Sequence, residues 1–196
     1  MRRRPRSVNL RHGQSGASAI RHVTIGSVAM GLIAHSSLPV LCAGSRVRPR
    51  PRPDGYRVAI TTDGPPASEE AFSAVTTLLR SGRVPVNIIR IYVPTLGDRG
   101  DLLEMADCEL SLARLKTNYC TGLDIETHVS KKRNTQSAAA AIIEAVETVG
   151  ASVIAMSTRG HSAQRHVLLG STALDVLGRS PLPIILVPAG QHAEGN

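Results

Sequence analysis

The chain has 196 residues, with 23 Lys+Arg against 15 Asp+Glu and a formal net charge of +8. Residues 1–55 hold ten Arg and one acid, Asp54, whereas residues 56–196 hold 13 bases and 14 acids, so the basicity belongs to a head segment and not to a basic face of the main domain. With no Trp, one Phe and three Tyr, the chain is poorly suited to a base-stacking platform, and its core must be Val, Ile, Leu and Ala, as in a parallel sheet covered on both faces.

The length fits one ordinary domain plus about 50 residues. Cys42, Cys108 and Cys120 have neither CxxC nor metal-ligand spacing, which reads as reduced thiols in an intracellular protein. The head begins with Arg-rich Met1–Arg6 and an apolar run, Val23–Leu41. His35-Ser36-Ser37 and Pro39 interrupt that run, so it fits neither a signal peptide nor a membrane span.

Val58–Thr62 is a short apolar strand ending in the turn residues Asp63-Gly64-Pro65-Pro66. Ser68-Glu69-Glu70 opens a helical pattern through Leu79, with Ser68 as N-cap and Gly82 as stop. Val86–Val93 is a second strand. A glycine-punctuated loop leads to a long helix, about Leu102–Tyr119, with periodic apolar positions Leu103, Ala106, Leu110, Ala113 and Tyr119. Leu123–Ser130 alternates as a third strand. Ser137–Thr148 is an Ala-rich helix stopped by Gly150, and Ser152–Ser157 is a fourth strand. A helix near Ser171–Leu177 and a last strand, Ile184–Val187, close the chain. Strands alternating with helices predict an α/β fold with a doubly wound, mostly parallel sheet. Ligands of such sheets sit beyond the carboxyl ends of the strands, at the switch point. Those ends carry Asp63, Ile91–Tyr92, the Lys131–Arg133 loop and the Ser157–Ser171 loop.

Residues 16–44 align without gaps to residues 160–188 at a constant offset of 144, with 12 identities in 29 positions. Gly16/Gly160, Arg21/Arg165, His22/His166, Gly26/Gly170, Ser27/Ser171, Ser36/Ser180 and Pro39/Pro183 are among them. An internal repeat therefore explains the head better than a leader does. The expected organisation is a basic N-terminus (1–12), a partial repeat (13–44), an Arg/Pro linker (45–55), a complete domain (56–190) and a tail (191–196). Alternating Arg-Pro in the linker favours an extended spacer.

One pattern carries chemistry. Ser157-Thr-Arg-Gly160 is followed nine residues later by Gly170-Ser171, and the head repeats it as Gly13-Gln-Ser-Gly16 and Gly26-Ser27. Glycines let backbone approach a phosphate. A Gly-Ser that opens a helix offers free N–H groups and the positive end of its dipole to an anion. The pattern is neither a Walker A loop nor a dinucleotide GxGxxG.

Asp63, Met156-Ser-Thr-Arg-Gly160, the nine-residue spacer, Gly170-Ser171 and the closing Ser180-Pro-Leu-Pro-Ile-Ile-Leu-Val together resemble the universal stress protein family. The resemblance covers residues 56–188 in full and residues 13–43 as the last quarter of a second such domain. It implies an open five-stranded sheet of order 3-2-1-4-5 with helices on both faces. It also implies ATP, with or without Mg2+, bound across the ends of the first and fourth strands. Asp63 would hold the adenosine part. Thr62, Ile91 and Met156 would line the base. Ser157, Arg159, Gly160, Gly170, Ser171 and Thr172 would hold ribose and phosphates. Ser157 stands where the ATP-binding branch has its first motif glycine, and Lys131–Asn134 replaces a frequent glycine after the third strand.

The leading expectation is a cytoplasmic ATP-binding stress-response module, a sensor or regulator and at most a slow ATPase. It would form either a homodimer or an intrachain pseudo-dimer through the last strand, with no specific nucleic acid and no membrane as partner. The alternative is an interaction module of the same fold with no nucleotide. An ATP pyrophosphatase of related fold is disfavoured, because Pro65 and Pro66 stand where backbone donors would be needed.

Overall fold

A computed structural model describes residues 25–48, 55–63, 67–80, 84–92, 97–158 and 169–188. The described elements are α1 (Ser27–His35), β1 (Val40–Cys42), β2 (Val58–Thr62), α2 (Ala67–Arg80), β3 (Val86–Tyr92), α3 (Gly97–Tyr119), β4 (Ile125–Lys131), α4 (Ala138–Thr148), β5 (Val153–Ser157), α5 (Ser171–Arg179) and β6 (Ile184–Val187). They form one six-stranded sheet of order β1-β6-β5-β2-β3-β4. Strands β2 to β6 are parallel and, counted among themselves, run 3-2-1-4-5. The sixth strand differs from the five-stranded expectation. It is β1, from the head, and it pairs antiparallel with β6 at the sheet edge.

The sheet is buried on both faces, which explains why its central strands are apolar runs with little alternation. On one face Ala59, Ile89, Ile154 and Leu186 meet Ile142 and Val146 of α4, Val176 of α5 and Ile33 of α1. On the other, Val58, Ile60, Val86 and Ile88 meet Phe72 and Val75 of α2 and Leu112 and Leu115 of α3. Phe72, the one Phe of the chain, is fully buried there.

Local signals set most element ends. Ser137 caps α4, its Oγ accepting from the Ala140 N–H at 3.2 Å. Gly150 ends the same helix at φ 68°. The Ala151 N–H bonds to the Val146 carbonyl and the Gly150 N–H to the Glu147 carbonyl, the two bonds of a Schellman cap.

Several expectations shift, among them the glycine-punctuated loop before Leu102, which is helical from Gly97. The first long helix begins at Ala67, so Ser68 lies within its first turn. Ahead of the Arg-Pro alternation, residues 45–46 form a turn, the Val47 N–H bonds to the Gly44 carbonyl, and the Arg48 N–H bonds to the Pro181 carbonyl; residues 49–54 lie outside the described residues. In α3 the buried positions are Cys108, Leu112 and Leu115, while Leu103, Ala106, Leu110 and Ala113 face solvent. The helix carries two apolar stripes, and periodicity alone does not say which one the sheet covers.

Candidate functional site

At the centre of the sheet, β2 and β5 pair from Val58 opposite Val153 to Ile60 opposite Ala155, and the ladder goes no further. Beyond that point each strand keeps its outer neighbour. β2 stays with β3 through Thr62 opposite Arg90, and β5 stays with β6 through Ser157 opposite Val187. The carboxyl ends of β2 and β5 therefore part, at the point where chain order reverses across the sheet. That is the crevice in which doubly wound sheets hold ligands.

Thr62 and Asp63 stand on one side of this parting. Thr62 is nearly buried and Asp63 is exposed. Met156 and Ser157 stand on the other. Met156 packs in the core with Leu169 and Ala173, while Ser157 is half-buried. The next residue, Thr158, ties down the far end of the loop. Its N–H donates to the Val187 carbonyl at 2.8 Å, and its carbonyl accepts from the Gly170 N–H at 2.7 Å. Nothing in the residue type signalled this clamp, because backbone atoms make it.

Gly170 is the N-cap of α5, extended at φ −64° and ψ 151°, with no side chain to cap the helix. The first turn of α5 carries no acidic residue. Its first amide N–H groups have no partner within a helix, and the positive end of the dipole goes with them. Ser171 is exposed there and Thr172 half-buried. The clamp at Thr158 sets this helix start beyond the carboxyl end of β5, the strand that neighbours β2. These residues suit a nucleotide: a crevice with a carboxylate and hydroxyls on one wall and an uncapped helix start on the other.

The structure thus brings Thr62, Asp63, Met156, Ser157, Gly170, Ser171 and Thr172 to the carboxyl edges of two adjacent strands. Ile91 is placed by backbone only, in β3 opposite Ser130, one strand away. Arg159 and Gly160 lie outside the described residues, as do Arg165, His166 and their head counterparts.

The basic loop after β4 lies two strands from the crevice. Arg133 Nη2 meets Glu144 Oε2 at 2.5 Å, and Gln136 Nε2 donates to the same oxygen at 2.7 Å. They line a cavity of about 150 Å3 with Ser130, Lys131 and Ala141. The Arg133 charge is thus engaged locally, which matches a solvated loop better than a phosphate-reaching one.

Sequence reasoning also missed a polar group in the core. Asn87 is fully buried in β3, and its Oδ1 lies 2.9 Å from Nε2 of His128 on β4. Glu126 lies near His128 and Arg57. This cluster sits toward the amino ends of the strands, away from the crevice.

Among the described residues no group of three or more His, Cys, Asp or Glu gathers as a metal site. No described helix is long and apolar enough to cross a membrane. All three cysteines are free, and burial raises each thiol above its ordinary range. At Cys108 the nearby Arg90 opposes that rise.

The family model described as the universal stress protein family matches residues 56–188. No curated protein sequence matches the chain. Among solved structures, a universal stress protein from Archaeoglobus fulgidus is 23% identical, with a TM-score of 0.58, over 89% of this chain and 58% of its own. A universal stress protein in complex with cAMP is 20% identical, with a TM-score of 0.52, over 67% of this chain and 96% of its own. The structure of the universal stress protein from Archaeoglobus fulgidus in complex with dAMP is 16% identical, with a TM-score of 0.50, over 69% and 98%. At these identities the structures show a shared fold, and the family match, which spans well over half of the chain, shows its kinship. The chain belongs to the universal stress protein family.

Proposed function

We propose that this chain is an adenine-nucleotide-binding stress-response protein that acts in the cytoplasm as a sensor or regulatory module, with ATP as its ligand. The observation that carries the reading is the parting of β2 and β5 beside the glycine-started helix α5. Family relatives solved with cAMP and dAMP support an adenine nucleotide as the class of ligand. In this reading Asp63 accepts hydrogen bonds from the adenosine part, and Thr62, Ile91 and Met156 border the base. Ser157, Arg159, Gly160 and the start of α5 at Gly170, Ser171 and Thr172 receive ribose and phosphates. The helix start supplies N–H donors and a favourable dipole for the anionic end. Mg2+ would bind with the phosphates, and the proposed role is binding, with at most slow hydrolysis of ATP.

Residues 13–44 are read as a partial sister repeat, with its last strand docked where a second domain's would lie. The antiparallel β1–β6 pairing supports that reading.

A second reading, an interaction module with an empty crevice, is favoured by Ser157, a residue with a Cβ where the motif has its first glycine. Nucleotide extracted from the purified full chain, together with equilibrium dialysis against ATP, AMP and cAMP, separates the two. Bound adenine nucleotide or saturable uptake supports the first. A clean protein that takes up none of the three supports the second.

A further inference from the structure

The outer face of α3 is the feature that the nucleotide reading leaves unused. Leu103, Ala106, Leu110 and Ala113 are spaced three, four and three residues apart and lie along one side of the helix. All four are exposed, Leu103 by 74% and Leu110 by 61%. The opposite side already packs on the sheet through Cys108, Leu112 and Leu115. Single exposed leucines are ordinary on a protein surface. A continuous stripe at this spacing is the pattern of a helix–helix seam.

The charges beside the stripe say what covers it. Asp107 and Glu109 come first, and Arg114 and Lys116 follow seven residues later, two turns on. All four are exposed. Lys116 Nζ donates to the Ile125 carbonyl at 2.9 Å, which leaves it further protons to donate. A second α3 laid antiparallel sets each Asp107–Glu109 segment beside the partner's Arg114–Lys116 segment. A parallel neighbour would set Asp107 against Asp107 and Arg114 against Arg114. The antiparallel register also places Leu110 over the partner's Ala113, large against small.

We propose that the exposed face of α3 is a homodimer seam, occupied by the α3 of a second copy of this chain in antiparallel, two-fold arrangement. Such an isologous contact closes on itself. It also leaves the other end of the sheet alone, because α3 lies over β3 and β4 whereas β1 covers β6 at the opposite edge. The proposal is independent of what the crevice binds.

Sedimentation velocity on the full chain tests it, with circular dichroism to verify that each variant is folded. The wild type should sediment as a dimer. Leu110→Lys, at an exposed position, should sediment as a folded monomer. Asp107→Arg should shift the wild-type dimer to monomer, and Asp107→Arg with Arg114→Asp should restore it, since reversed charges still meet across an antiparallel pair. A wild type that stays monomeric at the highest concentration the experiment reaches overturns the proposal. So does a dimer that Leu110→Lys leaves intact, or a double variant that fails to regain what Asp107→Arg lost.

Discussion

Leu41 lies opposite Ile185 in the antiparallel ladder between β1 and β6, and Ile185 is also the residue 144 positions after Leu41. The flanking pairs, Val40 with Leu186 and Cys42 with Ile184, therefore exchange under the repeat. The helices match too: α1 spans Ser27–His35 and α5 spans Ser171–Arg179, at the same offset, each after an uncapped glycine. Ser36 Oγ bonds to both backbone groups of Leu38, as Ser180 Oγ does to those of Leu182. Two stretches of the same chain thus meet in the geometry of a two-fold contact. Their surroundings differ. Leu32 is 59% exposed where its counterpart Val176 is buried.

That difference predicts unequal costs within one helix. Ile33 is buried against the α4–α5 core, so Ile33→Ala should lower stability by about 2–4 kcal/mol. Leu32→Ala should change it by less than about 0.5 kcal/mol. Urea unfolding of both variants measures this, and equal small effects would show that the head does not pack on the sheet.

The ends of α4 give a second pair. Ser137→Ala removes the side-chain acceptor for the Ala140 N–H and should cost about 1 kcal/mol. Gly150→Ala places a Cβ on a residue at φ 68° and should cost about 1–2 kcal/mol. Thermal unfolding should show a lowered Tm for each, and an unchanged Tm would contradict the cap assignments.

The thiols predict a pH dependence. Burial raises Cys108 and Cys120 in the folded protein. The unfolded chain therefore loses those protons first as pH rises. Their contribution is fully present below the ordinary cysteine range, about 8.5, and is lost as pH climbs through the raised folded values. Unfolding free energy should fall as pH rises above about 8.5, and the fall should be shallower in Cys108→Ala with Cys120→Ala. Equal slopes would assign the decline to other groups.

Much of the fold was legible because each signal was local. The apolar run Val58–Thr62, Ser137 before an Ala-rich helix, Gly150 after it and Ser-Pro-Leu-Pro before β6 each fix one boundary. The repeat exposed the kinship of head and tail. What sequence did not reveal depends on tertiary choice. Two apolar stripes share α3, and only packing against β3 and β4 selects Leu112 over Leu110. Asn87 sits in an apolar strand, and its partner His128 is 41 residues away. In the candidate site, Asp63 and Gly170-Ser171 were readable as turn and helix-start residues. The Thr158 clamp was not, since its backbone makes both bonds.

In the nucleotide reading Asp63, at the end of β2, holds the adenosine part. Isothermal titration calorimetry of Mg-ATP into the full chain and into Asp63→Ala tests it most directly. Loss of a charged acceptor should weaken binding by about 1.5–3 kcal/mol, roughly ten- to 150-fold. Measurable heat for the wild type with a drop of that size in Asp63→Ala is the predicted result. Equal affinities, or no binding by the wild type, would contradict it.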